Sequence, residues 1–291
     1  MTTGESGTLH KAARALYRFA KWDLLMGGVL LPYGRARHRM LLQHSDRSNT
    51  HTYTSFYRSP PQLDALAGPV LDHFEKLGRK ELSILLFAAS SGAEPYTFAS
   101  ELLHRRPGLP FSIRASDLHD TMVIKGAAGF YTHDEVMRPW PLPQEFIART
   151  FDPVGERYRV KSPIRDRVRF EQADLLDPHL PGRFESADIV VMQNVLFHLP
   201  PDLARAVFAN VIQTLKAGGV LFIEGMELDM RVELTRKAGL LPLDYRVKEI
   251  HQYARLHFPE RWWNYYYASE PYSLFASDRL ARYSTIFLAP T

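Results

Sequence analysis

The chain has no cysteine among its 291 residues. That absence excludes disulfides, thiolate zinc sites and cysteine nucleophiles together, and it fits a reducing, cytoplasmic setting. Long apolar runs are missing as well. The longest, LLMGGVLLPY, is about half the length needed to cross a bilayer and is interrupted by glycine and proline, so no membrane insertion is expected. The N-terminal MTTGESGTLHKAARALYRFAKW begins polar and continues as an amphipathic helix, without the order of a signal peptide. No fixed-period repeat occurs. No HExxH or comparable ligand spacing suggests a metal site, and neither GxGxxG nor GxxxxGK[ST] is there to cradle a phosphate.

What is there is an ordinary globular composition, 45% hydrophobic and 23% charged, in a chain long enough for one large domain, with or without a small appendage, and a substantial core. The formal charge of +4 permits an acidic partner without demanding one. Lys and Arg are not gathered into a stripe with interleaved aromatics, so nucleic acid is not expected as a partner. The one dense basic stretch, ERYRVKSPIRDRVRF, reads as the solvated face of a hairpin.

From Glu81 onward strands and helices alternate, which predicts an α/β fold with a parallel sheet covered by helices on both faces. LSILLFAA, FSIRASD, VRFEQADLL, ADIVVMQNVLFHL and VLFIEGM read as strands, with RYSTIFLA as the last. PYTFASELLHRR, HDTMVIKGAAG, PDLARAVFANVIQTLKAGG and MRVELTRKAGL read as helices, the KAGG being a helix stop placed directly before a strand. The polar stretch before VRFEQADLL is too long for a simple connection and is expected to carry small elements of its own. Before Glu81 the pattern is helical, in LHKAARALYRFAKWDLL and RARHRMLLQH, with a polar break at SDRSNT.

In open α/β sheets ligands sit beyond the carboxyl ends of the strands, where strand order switches. The loop AASSGAE follows the first strand there. Its small side chains let the backbone approach a ligand, and Gly92 permits the turn. Asp117 ends the second strand about 25 residues beyond Gly92, near the spacing at which an acidic residue meets ribose hydroxyls. Glu94, at the start of the helix, repels phosphate but suits a ligand with hydroxyls or a positive centre. S-adenosylmethionine, with a ribose, an amine and a sulfonium, meets that description. The alternative is a close-packed turn with Asp117 capping the next helix.

These residues carry a family resemblance. ASSGAEPYTFA resembles the S-(T/S)-G-(E/Q)-E-P-Y-S motif of CheR-type chemoreceptor glutamate methyltransferases, and TYTSFYRSPPQLDAL is similar to the family's N-x-T-x-F-F-R-(D/E) stretch. The likeness runs from about Thr52 to Gly225. It implies a class I, Rossmann-like methyltransferase sheet using S-adenosylmethionine. By position, Glu94 would hold the methionine amino end and Asp117 the ribose hydroxyls. Asp174 and Leu175 would flank the adenine, while Ala89 of the loop and Met192, Gln193 and Asn194 after the fourth strand would line the cleft. Thr52, Thr54 and Arg58 would close the methionyl end, Arg58 pairing a carboxylate through its planar fork of donors. The chain departs from the family pattern at Ala88, where the family has glycine, and at Ala93, which replaces the first acidic residue of the pair. It departs again at Thr52 for asparagine, Gln193 for the arginine of the RNV motif and His198 for the tyrosine of the IYF motif. The region before Thr52 is shorter than the family's receptor-recognising helical domain, and DPVGERYRVKSP lacks the loop residues with which some members dock a receptor pentapeptide.

The expected organisation is a helical N-terminal region (1–51), a linker carrying the cofactor-closing motif (52–80) and a catalytic domain (81–291). The last contains a small β insertion (152–170) and an extended C-terminal segment covering the substrate (227–280). In that segment ERWWNYYYASEPY is either the roof of an acceptor pocket or a core or oligomer contact, which leaves homo-oligomerisation open. Methyl transfer needs alignment and desolvation of the nucleophile. A carboxylate is already ionised, whereas an amine or hydroxyl needs a base. His198 is then either that base or a residue bonding backbone and packing on the cofactor. Three functions follow: O-methylation of a protein glutamyl or other carboxylate, O- or N-methylation of a small molecule, and a binding protein that senses S-adenosylmethionine without catalysis.

Overall fold

The computed structural model describes residue 31 and residues 52–137, 141–257 and 270–291. The helices expected before Thr52 and the WWNYYY run lie outside these residues. In chain order the strands are β1 (Leu82–Phe87), β2 (Phe111–Asp117), β3 (Phe130–Thr132), β4 (Phe151–Val154), β5 (Arg157–Val160), β6 (Val168–Gln172), β7 (Ala187–Gln193), β8 (Leu215–Glu224), β9 (Leu241–Pro242) and β10 (Ile286–Leu288). Seven of them form one sheet in the order β6-β2-β1-β7-β8-β10-β9. The first five in that order run parallel, and β10 pairs antiparallel with both β8 and β9. This is the Rossmann-like class I arrangement expected from the alternation of strands and helices. Strand order switches at β1 and β7, so the carboxyl ends of these two strands open the ligand-binding crevice.

Both faces of the sheet are covered, and the side chains of β1 show it. Leu82, Ile84 and Leu86 enter one apolar cluster while Leu85 and Phe87 enter the other, the alternation that a strand imposes. Continuous apolar runs such as IVVM in β7 are stable here because they are buried on both sides.

Three boundaries differ from the sequence expectation. Residues 52–80 are no loose linker. Helices Pro60–Ala65 and Leu71–Lys76, joined by a π-helical turn at Gly68 and Pro69, bury Leu63, Leu66, Val70, Leu71 and Phe74 in the main core. The small antiparallel sheet is β3-β5-β4, so it begins before residue 152 and ends at Val160. Val168–Gln172, read as a strand but with Val168–Phe170 placed inside the 152–170 insertion, pairs with β2 as an edge of the main sheet. The KAGG stretch is not a helix stop. The helix ends at Ile212 and β8 already starts at Leu215, with an irregular register opposite Ala187–Ile189. Its partners explain the difference. Gly218 N–H donates to Pro290 O (2.7 Å), Ala289 N–H donates to Gly219 O (2.8 Å), and Lys216 reaches across to Asp188.

Asp188 pins this end of the sheet. Its Oδ2 accepts from Ser83 N–H (2.9 Å), Ser83 Oγ (2.7 Å) and Lys216 Nζ (2.9 Å), tying β1, β7 and β8 together. Burial alone would raise this carboxyl's pKa, but these bonds outweigh it and hold it below the usual range. A second polar knot lies in the C-terminal part. Arg282 donates to both carboxylate oxygens of Glu270 and to Asp229 (2.6 Å), Tyr283 Oη donates to Glu270 Oε1 (2.9 Å), and buried His251 pairs through Nε2 with Glu270 O (2.7 Å).

A depressed carboxyl pKa contributes stability above the unfolded value that is lost as pH falls through the folded one. Asp188→Asn should therefore lower the unfolding free energy by about 1–3 kcal/mol near neutral pH. The deficit should shrink toward the acid end, where the wild-type carboxylate is itself protonated. Denaturant titrations at several pH values check this, and a deficit independent of pH would contradict it.

Candidate active site

The cleft opens where the two halves of the sheet diverge, and its floor is the loop after β1. Ala88, Ser90 and Gly92 all have positive φ (55°, 49° and 93°), so the loop winds tightly into the helix Ala93–Arg105. A non-glycine residue in this region carries roughly 1 kcal/mol or more of strain. Something must hold the loop there, and Asp117 does. Its Oδ2 accepts from Ser90 N–H (2.7 Å) and its Oδ1 from His119 N–H (3.0 Å). Each oxygen keeps a lone pair for the cleft that Asp117 lines. Asp117 thus orders the turn before the next helix and also faces the ligand space, but it does not cap that helix, whose N-cap is His119.

The opposite wall comes from residues 52–58. Phe56 is buried edge-on against Tyr131 (4.9 Å between centroids) and Phe151 (5.0 Å), anchoring the stretch on the small sheet. Tyr57 N–H donates to Thr97 Oγ1 (3.1 Å), and Ser90 Oγ donates to Thr52 O. Thr52, Thr54 and Arg58 are thereby held over the cleft. Arg58 makes no hydrogen bond or salt bridge with any described residue, although it lines both the cleft and a small inner pocket behind it.

Glu94 lines the same two spaces. Burial pushes its carboxyl up to about 7, against the pull of Arg58 and with a further push from Glu224. Glu224 is likewise raised by burial, opposed by Arg231 and Arg58. At the end of β7, Asn194 has φ 55° and donates its N–H to Glu224 O (2.9 Å). Gly225 makes this possible: it has φ 72°, and a Cβ there would lie 2.5 Å from Asn194 Cα.

Ten of the twelve residues named from the sequence line this one cleft: Thr52, Thr54, Arg58, Glu94, Asp117, Asp174, Leu175, Gln193, Asn194 and His198. Ala89 and Met192 do not. Both side chains are buried in the apolar clusters, and their chain neighbours Ala88, Ser90 and Gln193 face the cleft instead. Sequence reasoning missed Ser90, Leu118, His119, Leu176 and Val195. Leu118 and His119 follow Asp117 directly, and that adjacency was the available signal. Among the described residues no group of three or more His, Cys, Asp or Glu side chains could hold a metal ion, and no helix is long and apolar enough to cross a membrane.

The chemistry of the lining fits S-adenosylmethionine. A carboxylate (Glu94) and a guanidinium without an ion-pair partner among the described residues (Arg58) stand together as a zwitterionic amino acid requires. Asp117 offers acceptors for ribose hydroxyls, and Leu118, Leu175, Leu176 and Val195 give an apolar slot for a base. Comparison with known proteins agrees. Residues 52–239, well over half of the chain, match the family model described as CheR methyltransferase, SAM binding domain. A chemotaxis protein methyltransferase of Listeria monocytogenes is 29% identical over 179 residues, and the chemotaxis protein methyltransferase Cher2 of Pseudomonas putida is 32% identical over 189. In each case 61% of this chain and 66% of the relative are covered, so the chain spans just under two thirds of these relatives. Among solved structures, an O-methyltransferase family protein from Burkholderia thailandensis is 19% identical, with 80% of this chain and 56% of that one covered and a TM-score of 0.39.

Two outcomes are expected. Ala88→Gly should raise the unfolding free energy by about 0.5–1 kcal/mol, since relief of the left-handed strain exceeds the entropy glycine adds to the unfolded chain; thermal or denaturant unfolding checks it. Glu94 favours a cationic ligand only when ionised, so affinity for S-adenosylhomocysteine should fall as pH drops from about 7 toward 5, by up to about tenfold per unit. Glu94→Gln should bind at least about tenfold more weakly at pH 8 and lose most of that slope in calorimetric titrations. An unchanged slope would remove Glu94 from the site. With a matching family model over most of its fold and a cleft whose lining suits the cofactor, the chain belongs to the CheR family of S-adenosylmethionine-dependent methyltransferases.

Proposed function

We propose that this protein transfers a methyl group to a carboxylate oxygen, with a glutamyl side chain of a protein as its acceptor, as the names of its chemotaxis relatives suggest. The observation that carries this is Arg58, a guanidinium facing the cleft without an ion-pair partner among the described residues. It has five donors, enough to bind the methionyl carboxylate of the cofactor on one edge and draw an acceptor carboxylate toward the other. When bound, S-adenosylmethionine supplies a methyl group on a positively charged sulfur, open to in-line displacement by an oxygen. The protein's task is then to align the acceptor and exclude water.

A carboxylate is ionised at neutral pH and needs no base. His198 closes the short 3₁₀ turn Leu196–His198 at the cleft, its ring 3.9 Å from that of Phe197. In this proposal it shapes the wall and takes no proton.

The test is incubation with methyl-labelled S-adenosylmethionine and the cytoplasmic domain of a chemoreceptor. Label should appear on the acceptor and leave as methanol in mild alkali, as an ester requires. Arg58→Ala should lower kcat/KM by about a hundredfold. His198→Asn should keep kcat within about threefold of wild type, with a flat pH profile from about 6 to 8. Alkali-stable label, or a collapse of turnover in His198→Asn, would exclude a carboxylate acceptor and point to an amine or hydroxyl.

A further inference from the structure

Behind the methionyl end of the cleft, a line of buried polar side chains connects three distant parts of the chain. Gln193 and Glu224 lie side by side at the carboxyl ends of β7 and β8. Gln62, from the helix Pro60–Ala65, reaches between them. Its Nε2 donates to Thr285 Oγ1 (2.6 Å) and toward Glu224 Oε2 (3.3 Å), and its Oε1 accepts from Gln193 Nε2 (3.0 Å). All four residues are at least 95% buried.

The direction of this chain is set by its far end. An ionised carboxylate only accepts, so in that state Glu224 requires the NH₂ of Gln62 to face it. Both protons of that NH₂ are then engaged, and Gln62 has only its carbonyl to offer Gln193. Gln193 in turn must give its NH₂ to Gln62, which leaves its own Oε1 on the side of the inner pocket, where Glu94 and Arg58 also stand. The reversed chain would set Gln62 Oε1 against the Glu224 carboxylate, two acceptors with no proton between them. An amide that could rotate freely would offer either end; this one offers an acceptor.

We propose that Gln62 and Glu224 are positioning residues that fix the Gln193 amide with its carbonyl oxygen toward the inner pocket, where it accepts a proton of the cofactor's α-ammonium group beside Glu94. Glu224 lines neither the cleft nor the inner pocket, and Gln62, although it borders the inner pocket, acts through its bond to Gln193. Gln193 stands where the family pattern has arginine, a donor, so the recognition is of opposite polarity here and depends on Gln62 and Glu224 for its sense.

The test is a calorimetric titration of the full chain with S-adenosylhomocysteine and with its deamino analogue, in which hydrogen replaces the ammonium. It needs no methyl acceptor, so its outcome is independent of the acceptor assignment. Gln62→Leu should weaken S-adenosylhomocysteine about tenfold and leave the deamino analogue within about twofold of wild type. Gln193→Leu should show the same loss, and combining the two should add nothing further, as expected for residues acting through one bond. Glu224→Gln keeps the side-chain shape and removes the preference for direction, so it should cost about threefold, again only for the ligand with the ammonium. It also serves if Gln62→Leu does not fold. Equal losses for the two ligands, additive losses in the double variant, or unchanged binding in Glu224→Gln would overturn the proposal. Failure of wild type to bind S-adenosylhomocysteine would overturn it together with the cofactor site.

Discussion

Two backbone N–H groups, of Ser90 and His119, converge on the carboxylate of Asp117, and the shape of the cleft depends on that convergence. The first fixes the loop after β1 in a left-handed path that Ala88 and Ser90 would not choose by themselves; the second sets the start of the helix Asp120–Ala128. The carboxyl end of β1 and the carboxyl end of β2 are thereby locked at a constant separation. Tyr131 Oη, donating to Ser91 O (2.6 Å), and Ser90 Oγ, donating to Thr52 O, extend the lock to the small sheet and to the strip that closes the methionyl end. Local strain survives here because its surroundings over-determine it, as at many ligand sites.

The charges of the cleft form a sequence of opposites that the protein alone leaves unbalanced. Glu224 is buried and Glu94 half-buried against their preference, and Arg58 pulls on both without bonding either. Such an arrangement is costly in the free chain and favourable once a zwitterion supplies an ammonium and a carboxylate. The C-terminal knot around Arg282 is the contrary case, in which every charge already has its partner and the result is rigidity instead of affinity.

The sequence made the central strands legible because parallel strands buried on both faces must be near-continuous apolar runs, as β1 and β7 are, while β2 alternates and is marked by its terminal Asp117. The cleft was legible because Gly92, Glu94 and Asp117 lie in one short stretch whose spacing has a chemical meaning. Other features depend on contacts far along the chain. KAGG reads as a helix stop until Asp188 and Pro290 are placed beside it. Ala89 and Met192 sit in the right segments but one residue out of phase with the ligand face. Gln62 and Glu224 are 162 positions apart, and no local pattern in PPQLDAL or LFIEGM marks a polar residue destined for burial.

A buried bond joins His251 to Glu270, and Arg282 fixes Glu270 in turn. None of these three residues lines the cofactor cleft. The joint is therefore built from contacts separate from those that hold Asp117 and the loop after β1. This end of the chain can thus be tightened or loosened at that joint without touching any described residue that faces the methyl donor.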